Sequence, residues 1–158
     1  MSGVGESSVA RALRAAGAKG EVREFDASTR TAAEAAAALG CPVGAIANSL
    51  VFVADGTPIL VLASGAHRVD LEFLAAALGC GELRRASPEE VRAATGQVIG
   101  GVAPLGHPAP LRAVIDEALR DHEVLWASAG SPHSVFSTDF EELRGLAGAL
   151  PVTVTPPA

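Results

Sequence analysis

Asp55-Gly56-Thr57-Pro58 separates two apolar runs, Ser49–Ala54 and Ile59–Ala63. Asp-Gly between apolar runs accepts the positive φ of a tight hairpin turn. The chain is therefore expected to fold back there into two antiparallel neighbours. The signals around this hairpin read mostly as helices to cover a sheet. Ser7-Ser8 can cap a helix that carries Val9, Leu13 and Ala16 on one face and stops at Gly17 and Gly20. Val22–Phe25 reads as a short strand. Ser28-Thr29 introduces a helix from Thr31 to Leu39, rich in strong helix formers and stopped by Gly40. A further helix is expected over Val69–Leu78, with Gly79 as its stop. Ser87-Pro88-Glu89-Glu90 is an N-cap, a proline at the first helical position and acids in the first turn, and this helix ends before Gly96.

Ala113–Asp116 reads equally as strand or helix. Val124–Ala127 and Ser134–Ser137 read as strands. Thr138-Asp139-Phe140-Glu141-Glu142 opens a last helix, and Pro151–Ala158 reads as a loose tail. The expectation is one domain over residues 1–150 with a tail at 151–158. Its class is mixed α+β, with a mixed, mostly antiparallel sheet.

Composition narrows the chemistry. A chain of 158 residues can bury a core without disulfide staples. With 49% hydrophobic residues, 4% aromatic and no Tyr, that core must be mostly Ala, Val and Leu. No apolar run reaches the roughly 20 residues of a membrane span, and Met1–Glu6 lacks the basic and apolar regions of a signal peptide, so no membrane partner and a cytoplasmic location are expected. Cys41 and Cys80 each follow Leu-Gly and read as small residues just past helix ends. Zinc spacings, a Gly-x-Ser-x-Gly elbow and a phosphate-binding Gly-rich loop ending in Lys are all missing, so neither a metal nor a cofactor is expected. A net charge of −6 argues against a broad nucleic-acid surface. It leaves room for contact with one end of a nucleic acid through a few cations such as Arg68, Arg84, Arg85 or Arg112.

The candidate site centres on Gly100-Gly101-Val102-Ala103-Pro104-Leu105-Gly106-His107-Pro108, a stretch without formal charge. Glycines let a backbone approach a ligand closely, and prolines stiffen it. The amides of Gly100 and Gly101 can point at a carbonyl as an oxyanion hole does. A plain connecting loop is the other reading. His107 and His133 can act as acid, base or hydrogen-bonding groups, or be ordinary loop histidines.

Two more segments flank this loop: Ile46-Ala47-Asn48-Ser49-Leu50-Val51-Phe52 before it, and Trp126–Phe136, with Ser128-Ala129-Gly130-Ser131, after it. In this order the three segments resemble the YbaK/EbsC/ProX family of aminoacyl-tRNA deacylases, over about Ser8 to Leu146. The resemblance implies a curved, barrel-like mixed sheet surrounded by helices, with a strand at Ala113–Asp116. It implies hydrolysis of the ester of a mischarged tRNA by a free-standing trans-editing enzyme, with tRNA-Pro carrying a small amino acid as one substrate. It implies catalytic roles for Asn48, Gly100 and Gly101, and substrate contacts from Ser49, Ala103, Pro104, Gly106, His107, Ser128, Gly130 and His133. The implied partners are the aminoacyl-tRNA acceptor end and an aminoacyl-tRNA synthetase. The chain departs from the family twice: Asn48 stands where many members have Lys, and Ala103 where many have Ser. The first departure keeps a second reading open, a weak or inactive module that binds an aminoacyl-tRNA end or a small ligand. A third is an interaction domain that docks on a synthetase.

Overall fold

The computed structural model describes residues 8–25, 31–98, 102–109, 111–131 and 134–156. Its elements run α1 (Ser8–Ala15), β1 (Val22–Glu24), α2 (Ala32–Leu39), a short 3-10 turn (Val43–Ala45), β2 (Ile46–Ala54), β3 (Thr57–Ser64), α3 (Leu71–Leu78), β4 (Leu83–Arg85), α4 (Pro88–Thr95), β5 (Arg112–Asp116), a second 3-10 turn (Glu117–Asp121), β6 (Leu125–Ser131), β7 (Ser134–Thr138), α5 (Phe140–Ala147) and β8 (Leu150–Val152).

Local chemistry sets the element ends. Asp55 and Gly56 both take positive φ, 48° and 85°, and close the β2–β3 hairpin in two residues. Thr31 and Ser87 each cap a helix and receive a glutamate from three residues on, Glu34 and Glu90, in reciprocal capping boxes. Asp70 and Asp139 cap α3 and α5. Gly40, Gly79, Gly96 and Gly148 end four helices in the left-handed conformation.

The sheet has the order β1-β7-β6-β2-β3-β5-β8, with β4 also on β2. Four pairings are antiparallel (β1–β7, β2–β3, β2–β4, β6–β7) and three parallel (β2–β6, β3–β5, β5–β8). The class is the expected mixed α+β with a mostly antiparallel sheet, but the sheet is open, with β1 and β8 at its ends. Ala113–Asp116, left open by its own residues, is strand β5.

Alternation along the strands sorts the core. Ala47, Val51 and Val53 share one face with Leu60, Leu62, Ile115, Ala127 and Phe136, and Leu13, Val91, Phe140 and Leu143 of α1, α4 and α5 cover it. On the other face, Phe52, Ile59 and Val61 pack under Leu74 of α3, and Ile46, Trp126 and Val135 pack under Ala35 and Ala36 of α2. Asn48 lies on this second face, between the two clusters.

Three sequence readings change. The strand read from Ser49 starts at Ile46. The strand β4 is not apparent from sequence, because three residues with two arginines carry no alternation. The loose tail is ordered at its start: Leu150–Val152 pairs with Val114–Asp116, Val154 is 1% exposed, and its carbonyl accepts the Asp70 N–H at 2.9 Å.

Candidate functional site

The site begins as a break in a hydrogen-bond ladder. One edge of β2 pairs with β3 from Ala47 to Ala54. The other edge is shared: β6 sets Trp126 and Ala127 beside Ile46 and Ala47, and β4 takes Phe52–Ala54. Between them, Asn48–Leu50 has no strand partner on this edge among the described residues. The Ile46 carbonyl accepts the Gly65 N–H at 2.8 Å on the β3 side, and the Val51 carbonyl accepts the Ala86 N–H at 3.1 Å on the other side. Within a strand, a residue's N–H and C=O point to one edge, and its neighbour's to the opposite edge. Ser49 therefore turns its N–H and C=O toward the opening, on the same side as Val51. Such groups seek partners, and a ligand carbonyl or amide can supply them.

A cleft of about 150 Å³ fills the opening. Asn48, Ser49 and Leu50 form one wall, and Trp126, Ala127, Ser128 and Ser131 the opposite one. Ser134 and Val135 of β7, with Ala32 and Val102, complete it. None of these side chains is ionisable. Ser49 Oγ is buried without a hydrogen-bond partner among the described residues. Beyond Ser128 the β6–β7 register shifts, the Gly130 N–H donates to Ser128 Oγ at 3.2 Å, and Ser131 Oγ and Ser134 Oγ lie 2.9 Å apart. The cleft is thus small, neutral and rich in hydroxyl and amide groups. It can hold a polar, uncharged group and stabilise an oxyanion by donation.

The expected site residues divide among several places. Asn48, Ser49 and Ser128 line the cleft together, and Gly130 lies in the bulge beside Ser128. Gly100, Gly101 and His133 lie outside the described residues. Ala103 is wholly buried in the main core, and its N–H donates to Gln97 Oε1 at 2.7 Å. Val102 is buried in the same core. Pro104, Gly106 and His107 line a separate cleft of about 480 Å³, against Leu60 and Leu146. These three residues line a different cleft from Asn48, Ser49 and Ser128. His107 Nε2 lies 2.8 Å from the Ala103 carbonyl oxygen.

His67 stands elsewhere, with Nδ1 2.9 Å from Oδ2 of the buried Asp116. Cys41 packs beside α2, and burial pushes its thiol pKa up, which disfavours the reactive thiolate. Among the candidate cations, Arg84 makes two 2.8 Å hydrogen bonds to Glu90. Leu50, Trp126, Ser134 and Val135 were not assigned to the site from sequence. Their signal was the position of each inside one of the two flanking segments.

Comparison with known proteins gives the family context. The family described as the aminoacyl-tRNA editing domain matches residues 26–146. An uncharacterized protein of Bacillus subtilis (strain 168), YwhH, is 32% identical over 124 residues, which are 78% of each chain. A proline–tRNA ligase of Solidesulfovibrio magneticus is 36% identical over 104 residues, covering 65% of this chain but only 18% of that enzyme. A solved structure described as a candidate trans-editing enzyme for prolyl-tRNA synthetase superposes with a TM-score of 0.88 at 44% identity, covering 96% of this chain and 99% of that one. Among the described residues no helix is long and apolar enough to cross a membrane.

Proposed function

The chain belongs to the aminoacyl-tRNA editing domain family, and from that premise we propose that it is a trans-editing deacylase, which hydrolyses the ester between a wrong amino acid and its tRNA. The likeness to a candidate trans-editing enzyme for prolyl-tRNA synthetase favours tRNA-Pro as the carrier. One observation carries the reading. Among the described residues the β2 edge is open at Ser49, whose main chain faces the cleft and whose hydroxyl is buried without a partner.

The aminoacyl ester enters between β2 and β6. Its carbonyl oxygen meets the Ser49 N–H, with the amides of Gly100 and Gly101 as further donors. Asn48 donates from its amide to the ester or the terminal ribose. Water adds to the carbonyl carbon, and the negative charge on the oxygen is held by these donors, each worth about 3 kcal/mol in transition-state binding. The bond to the ribose oxygen then breaks, that oxygen takes the proton, and the free amino acid leaves. Among the described residues the cleft lining carries no ionisable group. In this reading water and a substrate hydroxyl carry the proton. Trp126, Ser131 and Ser134 close around the side chain, and about 150 Å³ suits a small uncharged one. Selection is by exclusion, since one methylene changes binding by only about 1–3 kcal/mol.

The test is deacylation of Ala-, Cys- and Ser-tRNA-Pro by the native protein and by Gly101→Val. Hydrolysis by the first and not the second is expected. No hydrolysis by a folded native protein overturns the reading.

A second reading rests on Asn48, an uncharged residue where the family resemblance points to Lys. It is a module that binds the acceptor end without turnover. Asn48→Lys separates the two: activity gained where the native protein has none establishes the binding module.

A further inference from the structure

Two arginines stand on aromatic rings at the two ends of the opening. Arg23 on β1 pairs in register with Val135, a cleft residue, and its guanidinium lies 5.1 Å from the centre of the Trp126 ring. Arg85 on β4 pairs in register with Phe52, with its guanidinium 5.9 Å from the centre of that ring. Arg85 also lines a second, smaller pocket of about 70 Å³ with Ser49, Leu50 and Val102. Trp126 lies beside Ile46, so the two platforms stand six residues apart along β2, on the order of 20 Å. Both lie on the same face of the sheet as Asn48.

Their charges are available. Arg85 makes no ion pair among the described residues. Arg23 has one, to Glu21 at 3.4 Å, with both side chains half exposed. Such a pair is worth little and yields to a stronger anion. Arg84, by contrast, is held by two hydrogen bonds to Glu90. Arg112 is on β5, beyond β3 from the opening. In a chain of net charge −6, two fixed cations astride one neutral cleft mark where a polyanion can touch.

We propose that Arg23 and Arg85 grip two separate phosphates of the single-stranded RNA end whose terminal ester occupies the cleft. The separation is too long for one phosphate and suits an extended strand crossing β2. Stacking on Trp126 and Phe52 orders each guanidinium before binding, which lowers the entropy each contact costs. The aromatic rings also explain the choice of arginine, whose flat guanidinium stacks where an ammonium does not. This inference rests on the deacylase reading for the identity of the ligand.

The experiment measures binding of a non-aminoacylated RNA hairpin with a single-stranded CCA 3′ end, by fluorescence anisotropy over a salt series. The proteins are native, Arg23→Gln, Arg85→Gln, both lysine variants, and Arg120→Gln as control. Arg120 also stacks, 4.0 Å over Phe140, but is paired with Glu117 and Glu141 away from the opening. For single strands, each lost phosphate contact flattens the plot of log affinity against log salt by about 0.7. Each Gln variant is expected to lose this slope and to bind about threefold or more weakly at low salt, while each Lys variant keeps the slope. Arg120→Gln is expected to match the native protein. Native slope and affinity in both Gln variants overturn the proposal, as does a native protein that does not bind the RNA. Failure of the deacylase reading looks different: the RNA binds with the expected slopes, and its aminoacylated form is not hydrolysed.

Discussion

Ala47 lies beside Ala127 in the last register pair that joins β2 to β6. One residue later the strands part, and Ser49 turns its main chain into the gap. The parting of the two strands makes the cleft. Four predictions follow from the surroundings of this pair and from the contacts that fix it in the sheet.

Ser49→Ala separates stability from function. A buried hydroxyl without a partner costs about 1–3 kcal/mol, and Ser49 Oγ is such a group among the described residues. Its removal is expected to leave the melting temperature unchanged or raise it by about 2–4 °C. The main-chain N–H that meets the ester remains, and loss of the hydroxyl as a partner for the bound substrate should lower deacylation about tenfold, the equivalent of about 1.4 kcal/mol in transition-state binding. A melting curve and a single-turnover assay on one preparation check both.

Gly65→Ala strains the strand entrance. A Cβ there would lie 2.5 Å from the Val43 carbonyl oxygen and 2.7 Å from Cβ of Ala32, a cleft residue. Backbone must move to admit it, at a cost of about 1–3 kcal/mol. Loss of the 2.8 Å bond from Gly65 N–H to the Ile46 carbonyl would follow. Denaturant unfolding is expected to show the destabilisation. An unchanged midpoint would refute the close packing at this turn.

Asp116→Ala should be more damaging than His67→Ala. Asp116 is 1% exposed, and its carboxylate accepts from Ser64 N–H at 3.1 Å and Ala118 N–H at 3.0 Å, besides meeting His67 Nδ1 at 2.9 Å. The aspartate variant strands two main-chain donors, for a loss of about 3 kcal/mol or more. The histidine variant removes one half-exposed partner and should cost about 1 kcal/mol. Equal losses would show that the imidazole, not the backbone, is what the carboxylate holds.

Acid should weaken the α4 entrance in a defined window. Arg84 and the Ser87 N–H hold the Glu90 carboxyl at about 2, against an ordinary 4.5. A carboxylate whose folded pKa is depressed contributes stability that is whole above its unfolded pKa. That contribution is therefore present above pH 4.5 and is lost as pH falls toward 2. Asp55 acts in the same direction, because the Gly81 and Glu82 N–H groups lower its pKa. Melting temperatures taken between pH 6 and 2 should fall less steeply for Glu90→Gln than for the native protein. Parallel curves would remove Glu90 from the account.

Much of this was legible in short stretches of sequence. Asp55-Gly56, the Thr31 and Ser87 caps and the terminal glycines act on neighbours within four residues, so their meaning does not wait on the fold. The site was legible in part: Asn48, Ser49 and Ser128 do share one cleft. The histidine on the glycine loop does not join them, because Ala103 is buried and carries the chain through the core. Nothing in Ala103 or its neighbours announces that burial. Trp126 reads as a core aromatic by composition, and only its place beside Ile46 makes it a cleft wall.

The sequence by itself determined the helices, the central hairpin and the small-residue core, because capping, turn geometry and side-chain volume are local properties of the residues that carry them. Tertiary structure alone decided that β6 and β4 divide one edge of β2 and leave Ser49 between them. It also decided that Arg23 and Arg85 stand at the two ends of that gap. Strand pairing joins residues far apart in the chain, and the choice among partners rests on the burial summed over whole faces, which no single stretch of sequence contains.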